Sequence, residues 1–307
     1  MPARFRRRRP ADARALVIPI VAGLAAASSF SLSTLVAARA SRMVGAPLTV
    51  AGAMLVGLVI VLPVCLFVTP LPATSSDLLL PTLAGGANVA GLLLAYTAYR
   101  IGTVGVVSTV ASTEGSIAAV IAVLAGQRLA PGSGPILAVI AVGVLLAATG
   151  GGHEIEEGVH IERRRSLQAA GLAAISALTF GFALFWIGSV SGDVPTAWIL
   201  LPGRLLGCLV VGIPLLVAGR ARVPRRALPY IVVCGIVEVT GFTAFTIGAQ
   251  ENIAVTSVLA SMFAPIAAVA AFVFFGERLA RRQVGGIALV VSGITLLGAA
   301  GASTITG

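Results

Sequence analysis

Three ionisable residues lie deep inside long apolar runs of this 307-residue chain: Glu114, Arg204 and Glu238. A charged side chain at the centre of a bilayer costs at least about 2.5–3.5 kcal/mol on insertion scales, so such residues persist when they are paired, hydrated or useful. Glu114 is twelfth in the run 103–125 and Glu238 eleventh in the run 228–249, which puts both near a membrane midplane. A carboxyl held away from water is disfavoured as an anion and can exchange a proton near neutral pH. Glu114 is therefore a candidate proton-coupling or cation-binding carboxylate, the alternative being a structural carboxyl bonded to Ser and Thr of adjacent helices. Glu238 carries the same two readings with equal weight. Arg204 could be the counter-ion of Glu114 or Glu238, or an anchor for a substrate carboxylate, because its planar fork binds carboxylates bidentately. Asn88 stands at the level of Glu238 in the first half of the chain and joins Arg204 as a candidate substrate or counter-ion residue.

The elements that position these residues follow from composition. Hydrophobic residues make up 58% of the chain and charged ones only 10%, and the mean hydropathy is +1.04. A soluble core of this kind is excluded in practice, since soluble domains carry roughly 25% charged residues. Apolar runs fall at about 15–37, 48–69, 78–99, 103–125, 133–150, 168–189, 196–218, 228–249, 253–275 and 284–301. Each approaches the roughly 20 residues that span a bilayer core as a helix. Their unbroken apolar character does not fit alternating barrel strands. The expectation is an all-α integral membrane protein of ten transmembrane helices.

The chain also repeats itself. Val107-Ser-Thr-Val-Ala-Ser112 and Ile117-Ala-Ala-Val120 recur as Thr256-Ser-Val-Leu-Ala-Ser261 and Ile266-Ala-Ala-Val269, an offset of 149 residues. Gly126-Gln-Arg-Leu129 matches Gly276-Glu-Arg-Leu279, Ala95-Tyr-Thr97 matches Ala244-Phe-Thr246, and Pro63 matches Pro214. The domains are expected as an Arg-rich tail (1–14), a five-helix repeat (15–151), a polar linker (152–166), a second five-helix repeat (167–301) and a short tail (302–307). Five crossings per half turn the second copy over, so the repeats are expected to be inverted, the plan of many secondary transporters. In that plan the solute site lies near the midplane between the halves.

The duplicated Gly-Glu-Arg-Leu and Gly-Gln-Arg-Leu, the stretch Ala260-Ser-Met-Phe-Ala-Pro-Ile266 and Pro202-Gly-Arg-Leu205 resemble an EamA-type member of the drug/metabolite transporter superfamily. The resemblance implies a ten-helix basket, export or exchange of small metabolites, and no bound cofactor. One departure stands out: where the second repeat has Met262-Phe-Ala-Pro265, the first has Thr113-Glu-Gly-Ser116, an acid in place of an aromatic.

All 21 basic residues are Arg, nearly all in short connections, which points to membrane orientation rather than to a nucleic-acid partner. Omitting Arg204, a ten-span count places seven Arg on the terminal face and thirteen opposite, which on a plain positive-inside count puts the termini outside. Six of those seven precede the first helix, which usually dominates insertion, and the family resemblance implies cytoplasmic termini, the orientation adopted here for a multi-pass plasma-membrane protein. Cys65, Cys208 and Cys234 lie in apolar runs without a CxxC, so they are expected to pack rather than to bridge or bind zinc. His153 and His160 flank Glu154, Glu156 and Glu157 in the linker, a pattern more in keeping with a solvated loop than with a metal site. Ser28, Ser29, Ser31, Ser33 and Thr34 are expected to be small-residue helix packing, the alternative being a binding face, and Pro265 is expected to kink the ninth span. No catalytic constellation is visible, so an enzyme is not expected. The expected function is a secondary transporter, an exporter coupled to protons through Glu114, with a midplane cavity built by helices 3, 4, 8 and 9 and closed by Arg204. Its partners would be a small-molecule substrate and the lipid bilayer. The alternative is a non-transporting scaffold or receptor that keeps the fold.

Overall fold

The computed structural model describes residues 14–72, 74–102, 104–127, 132–149, 163–266 and 281–303, and among them there are helices and no strands. The helices are α1 (Arg14–Val44), α2 (Ala46–Phe67), α3 (Leu79–Ile101), α4 (Val104–Ala111), α5 (Glu114–Leu124), α6 (Ser133–Thr149), α7 (Arg163–Val190), α8 (Thr196–Leu206), α9 (Ile213–Val217), α10 (Leu228–Ala249), α11 (Ile253–Ala260) and α12 (Arg281–Ser303). The Arg6–Arg9 run, the linker histidines and acids, Arg128 and the Gly276-Glu-Arg-Leu279 motif lie outside the described residues. The last four residues assigned to the linker, 163–166, open α7.

Helix is the answer a chain this apolar must give in lipid, where each backbone amide has to be satisfied within its own segment. Seven helical spans are long and apolar enough to cross a membrane, and three shorter apolar helices accompany them among the described residues. Large apolar side chains such as Val59, Leu66, Leu124 and Val217 stand more than half exposed on the outside. That surface would drive aggregation in water, and lipid is the solvent that suits it. Hydroxyls on the spans bond back to the preceding turn: Thr97 Oγ1 donates to the Leu93 carbonyl at 2.6 Å and Thr243 Oγ1 to that of Val239 at 2.8 Å.

Small residues let the helices approach closely. Antiparallel to α10, α1 sets Phe30 and Ser29 against Gly241, and Ala22 against Gly248. Antiparallel to α7, α3 sets Gly91 against Phe180 and Thr179, and Gly102 against Ala169. The contacts of Gly91 and Gly241 are the same contact made twice, each residue standing 150 positions from its counterpart. Likewise Gly57 of α2 receives the Arg204 side chain of α8, while Gly207, 150 positions on from Gly57, receives Met54. Between α8 and α9 the backbone widens into a π-helical turn, Gly207–Gly212. Such a turn accommodates one extra residue, and the spacing of equivalent residues rises across it, from 150 at Gly57 and Gly207 to 151 at Pro63 and Pro214. Across the halves, Gln127 Oε1 accepts the Ala254 amide at 3.0 Å, so a motif residue of the first half caps α11 in the second, beside the α11 N-cap Asn252.

Candidate functional site: a central cavity with two acids

The fourth apolar run is not one helix. It breaks at Ser112 and Thr113, and α11 breaks in the same way at Ser261 and Met262. In each break the serine hydroxyl turns back onto its own helix, Ser112 Oγ donating to the Thr109 carbonyl at 2.8 Å and Ser261 Oγ to that of Val258 at 2.7 Å. Their amides bond the carbonyls of Ser108 and Ser257, and the next residues tighten to three-residue bonds, Thr113 to Val110 and Met262 to Leu259. Pro265 was the expected cause of a kink. The first half breaks identically with Ser116 in that position, so proline is not required for it. The breaks meet where Gly115 lies against the Ser257 carbonyl and the Ser261 side chain.

Glu114 opens α5 immediately after the break. Its side chain is buried at 7% exposure and faces a central cavity with an empty volume of about 610 Å³. Among the described residues its carboxyl has neither a hydrogen-bond nor an ion-pair partner. Glu238 of α10 lines the same cavity but is paired: Arg204 Nη1 donates to its Oε2 at 2.5 Å, with both side chains 2–3% exposed. The same Nη1 lies 3.3 Å from Met54 Sδ, and the guanidinium sits 5.9 Å from the Phe242 ring centroid.

The structure thus brings Arg204 and Glu238 together, gives Glu114 no partner among the described residues, and puts Asn88 elsewhere. Arg204 does not line the central cavity. It lies behind Glu238 and borders a smaller void of about 260 Å³ together with Asn88, Gly85 and Gly203. Asn88 Oδ1 is buried there with no hydrogen-bond partner among the described residues. Asn88 and Glu238 are 150 residues apart, as are Met54 and Arg204. The first half therefore holds a neutral Asn and Met where the second holds an ion pair.

Sequence reasoning missed part of the wall. The apolar runs 78–99, 103–125, 228–249 and 253–275 contribute as expected, through Tyr96, Tyr99, Glu114, Glu238 and Phe263, but α1 and α7 contribute too, through Phe30, Ser33, Thr34 and Phe180. Ser33 and Thr34 are cavity residues as well as packing residues, and Ser33 Oγ lies 3.5 Å from Cys234 Sγ, which Tyr96 Oη approaches at 3.3 Å. Phe30 meets Phe242 edge-on with ring centroids 5.1 Å apart. The missed signal was aromatic: Phe30 and Phe180 occupy equivalent places in the two halves, 150 residues apart.

A helical bundle with a lipid-facing apolar exterior around an aromatic, acid-bearing cavity marks an integral membrane protein. Residues 167–299 match the model of the EamA-like transporter family, so the second half of the chain is EamA-like and the resemblance carried by the short motifs holds. No curated protein matches the chain. Among the solved structures that share the fold is a crystal structure with a TM-score of 0.65 and 18% identity, covering 90% of this chain and 94% of that one.

Proposed function

We propose that the protein is a secondary transporter that exports a small metabolite, amino-acid-like or drug-like, across the plasma membrane in exchange for protons bound by Glu114. The observation that carries this is the cavity itself: an acid buried to 7% exposure, with no partner among the described residues, faces an empty space between helices of the two halves of the chain. A lone carboxyl in such a place is stable when it holds a proton or a cation, and alternation between the two is coupling. Export follows from the family resemblance. In this proposal Glu238 and Arg204 keep the wall neutral, and Asn88 with Arg204 lines the void behind it.

Alternating exposure asks for two halves that can rock, and we read the chain as ten spans in two inverted five-helix repeats, 15–151 and 167–301, with both termini cytoplasmic. Helix direction supports the inversion. Two crossings apart, α1 and α3 run the same way, and α10 is the counterpart of α3. Halves related by an axis along the membrane normal would leave α1 and α10 parallel, whereas Phe30 against Gly241 and Ala22 against Gly248 have them antiparallel.

The test is flux. Purified protein in sealed vesicles is given a panel of labelled amino acids and cationic drugs, with and without an imposed pH gradient. At least one solute should accumulate only with the gradient, and Glu114→Gln, still monodisperse and helical, should lose that accumulation. Absence of gradient-driven accumulation across the panel defeats the transport reading. A Glu114→Gln protein that still concentrates solute moves the coupling to Glu238.

A further inference from the structure

We infer that the ligand of the central cavity is a monovalent organic cation with an aromatic or otherwise apolar body, an ammonium rather than an amino acid or an organic acid. The inference rests on Glu114 facing a solute cavity, as proposed above, and goes beyond that in naming the chemistry of the solute.

Charge bookkeeping along the wall leads to it. Among the described residues two carboxyls line the cavity and no basic residue does. The nearest guanidinium, Arg204, lies behind Glu238 with its Nη1 already donating to that acid. Ionised, the wall therefore carries one net negative charge, on Glu114; with the proton on, it carries none. A cation fits the first state and nothing but a neutral molecule fits the second. The carboxylate of an amino acid or organic acid would be desolvated with no counter-ion, a cost binding sites do not tolerate.

The remaining surface suits the rest of such a molecule. Phe30, Phe180, Phe242, Phe263, Tyr96 and Tyr99 present rings from five different helical segments, and ring faces attract ammonium groups while giving apolar bodies dry contact. Ser33 and Thr34 add only neutral hydroxyls. The described titratable groups facing Glu114 are Tyr96 and Tyr99 from α3 and Glu238 from α10; α1, α7 and α11 contribute none to the wall. Glu238 already has its cation, so Glu114 is where proton and ligand compete. The exchange balances: an ammonium enters, one proton leaves Glu114 for solvent, and the charge inside the cavity is unchanged.

The test uses the full chain in detergent and titration calorimetry with three soluble probes of one shape class: benzyltrimethylammonium, phenylalanine and 3-phenylpropionate. The ammonium should bind saturably and at least about tenfold more tightly than the other two, the ratio expected from one desolvated ion-pair or cation–π contact. Repeating the titration in buffers of different ionisation enthalpy should show up to one proton released, and below the ionisation of Glu114 the affinity should fall about tenfold per pH unit. Glu114→Gln should lose proton release and most of the affinity, and Glu114→Asp should retain both. If Glu114→Gln does not fold, the wild-type probe order and proton count still decide. Tighter binding of phenylalanine or phenylpropionate, or ammonium binding without proton release, overturns the inference. Vesicle flux of an amino acid with no ammonium binding also overturns it and leaves transport standing. Ammonium binding with no flux upholds it and removes the transport reading instead.

Discussion

The ion pair of the second half has a neutral counterpart in the first, and that gives a sharp perturbation. Replacing Arg204 by Met leaves Glu238 buried at 2% exposure, beside a cavity and without the cation it pairs with. Removing one partner of a buried pair costs about 3–5 kcal/mol, because the remaining charge is stranded in low dielectric. Loss of the guanidinium contact with Phe242 adds a smaller amount, of order 0.5–2 kcal/mol, whereas the apolar stem that fills the space beside Gly57 is largely kept by Met. The double variant Arg204→Met, Glu238→Asn installs what Met54 and Asn88 already place at the equivalent positions. It should regain most of the loss, since replacing both members of a buried pair by neutral groups of similar volume is often close to neutral. The assay is denaturant unfolding of purified protein in one detergent, analysed as a double-mutant cycle. A single variant as stable as the parent, or a double variant as unstable as the single, would refute the view that Arg204 serves Glu238 rather than the cavity. Flux through a stable double variant then reports whether the pair is scaffold alone.

Other substitutions test the frame around the cavity. Gly115→Ala puts a methyl against the Ser257 carbonyl where α5 meets α11; overpacking of this kind costs about 1–3 kcal/mol or more, and thermal unfolding in detergent should show it, with Gly171→Ala, where the added methyl meets open space, as the neutral control. Gln127→Ala removes the acceptor for the Ala254 amide and Asn252→Ala the α11 N-cap; each should lower stability by about 1 kcal/mol, and a wild-type melting temperature in both would remove the cross-half cap from the account.

The helices were legible because lipid leaves the chain so little choice. Apolar run length marks the membrane rather than the helix, however, and this explains the first span: α1 continues to Val44, past Arg39 and Arg42, because a helix need not stop where hydrocarbon does. The break before Glu114 was illegible for a different reason. Ser and Thr can bond back to their own helix in continuous and interrupted helices alike, so Ser112-Thr113 carries no stop signal of its own. Only Ser261-Met262, followed four residues later by Pro265, hints at one, and the repeat carries the hint across.

The site divides along the same line. Glu114, Arg204 and Glu238 stand out because charge inside an apolar run is costly wherever it points, so sequence alone finds them. Which acid takes the arginine depends on crossing geometry: α8 and α10 both lean on α2, and Gly57 clears the room through which Arg204 reaches Glu238. A glycine in an apolar run announces close approach without naming the visitor. The aromatic wall failed to stand out because Phe and Tyr in a membrane span are ordinary residues, and only Phe30 and Phe180 are marked, by recurring 150 positions apart. Reading the two halves as one unit folded twice therefore adds what neither half shows alone. Where the copies agree, as at Phe30 and Phe180 or Ser112 and Ser261, the shared residue belongs to the scaffold of the cavity. Where they part, as at Glu114 and Phe263 or Asn88 and Glu238, symmetry gives no packing reason for the charge, and on the proposed function Glu114, Phe263 and Glu238, which line the cavity, are the positions at which a ligand can tell one side of it from the other.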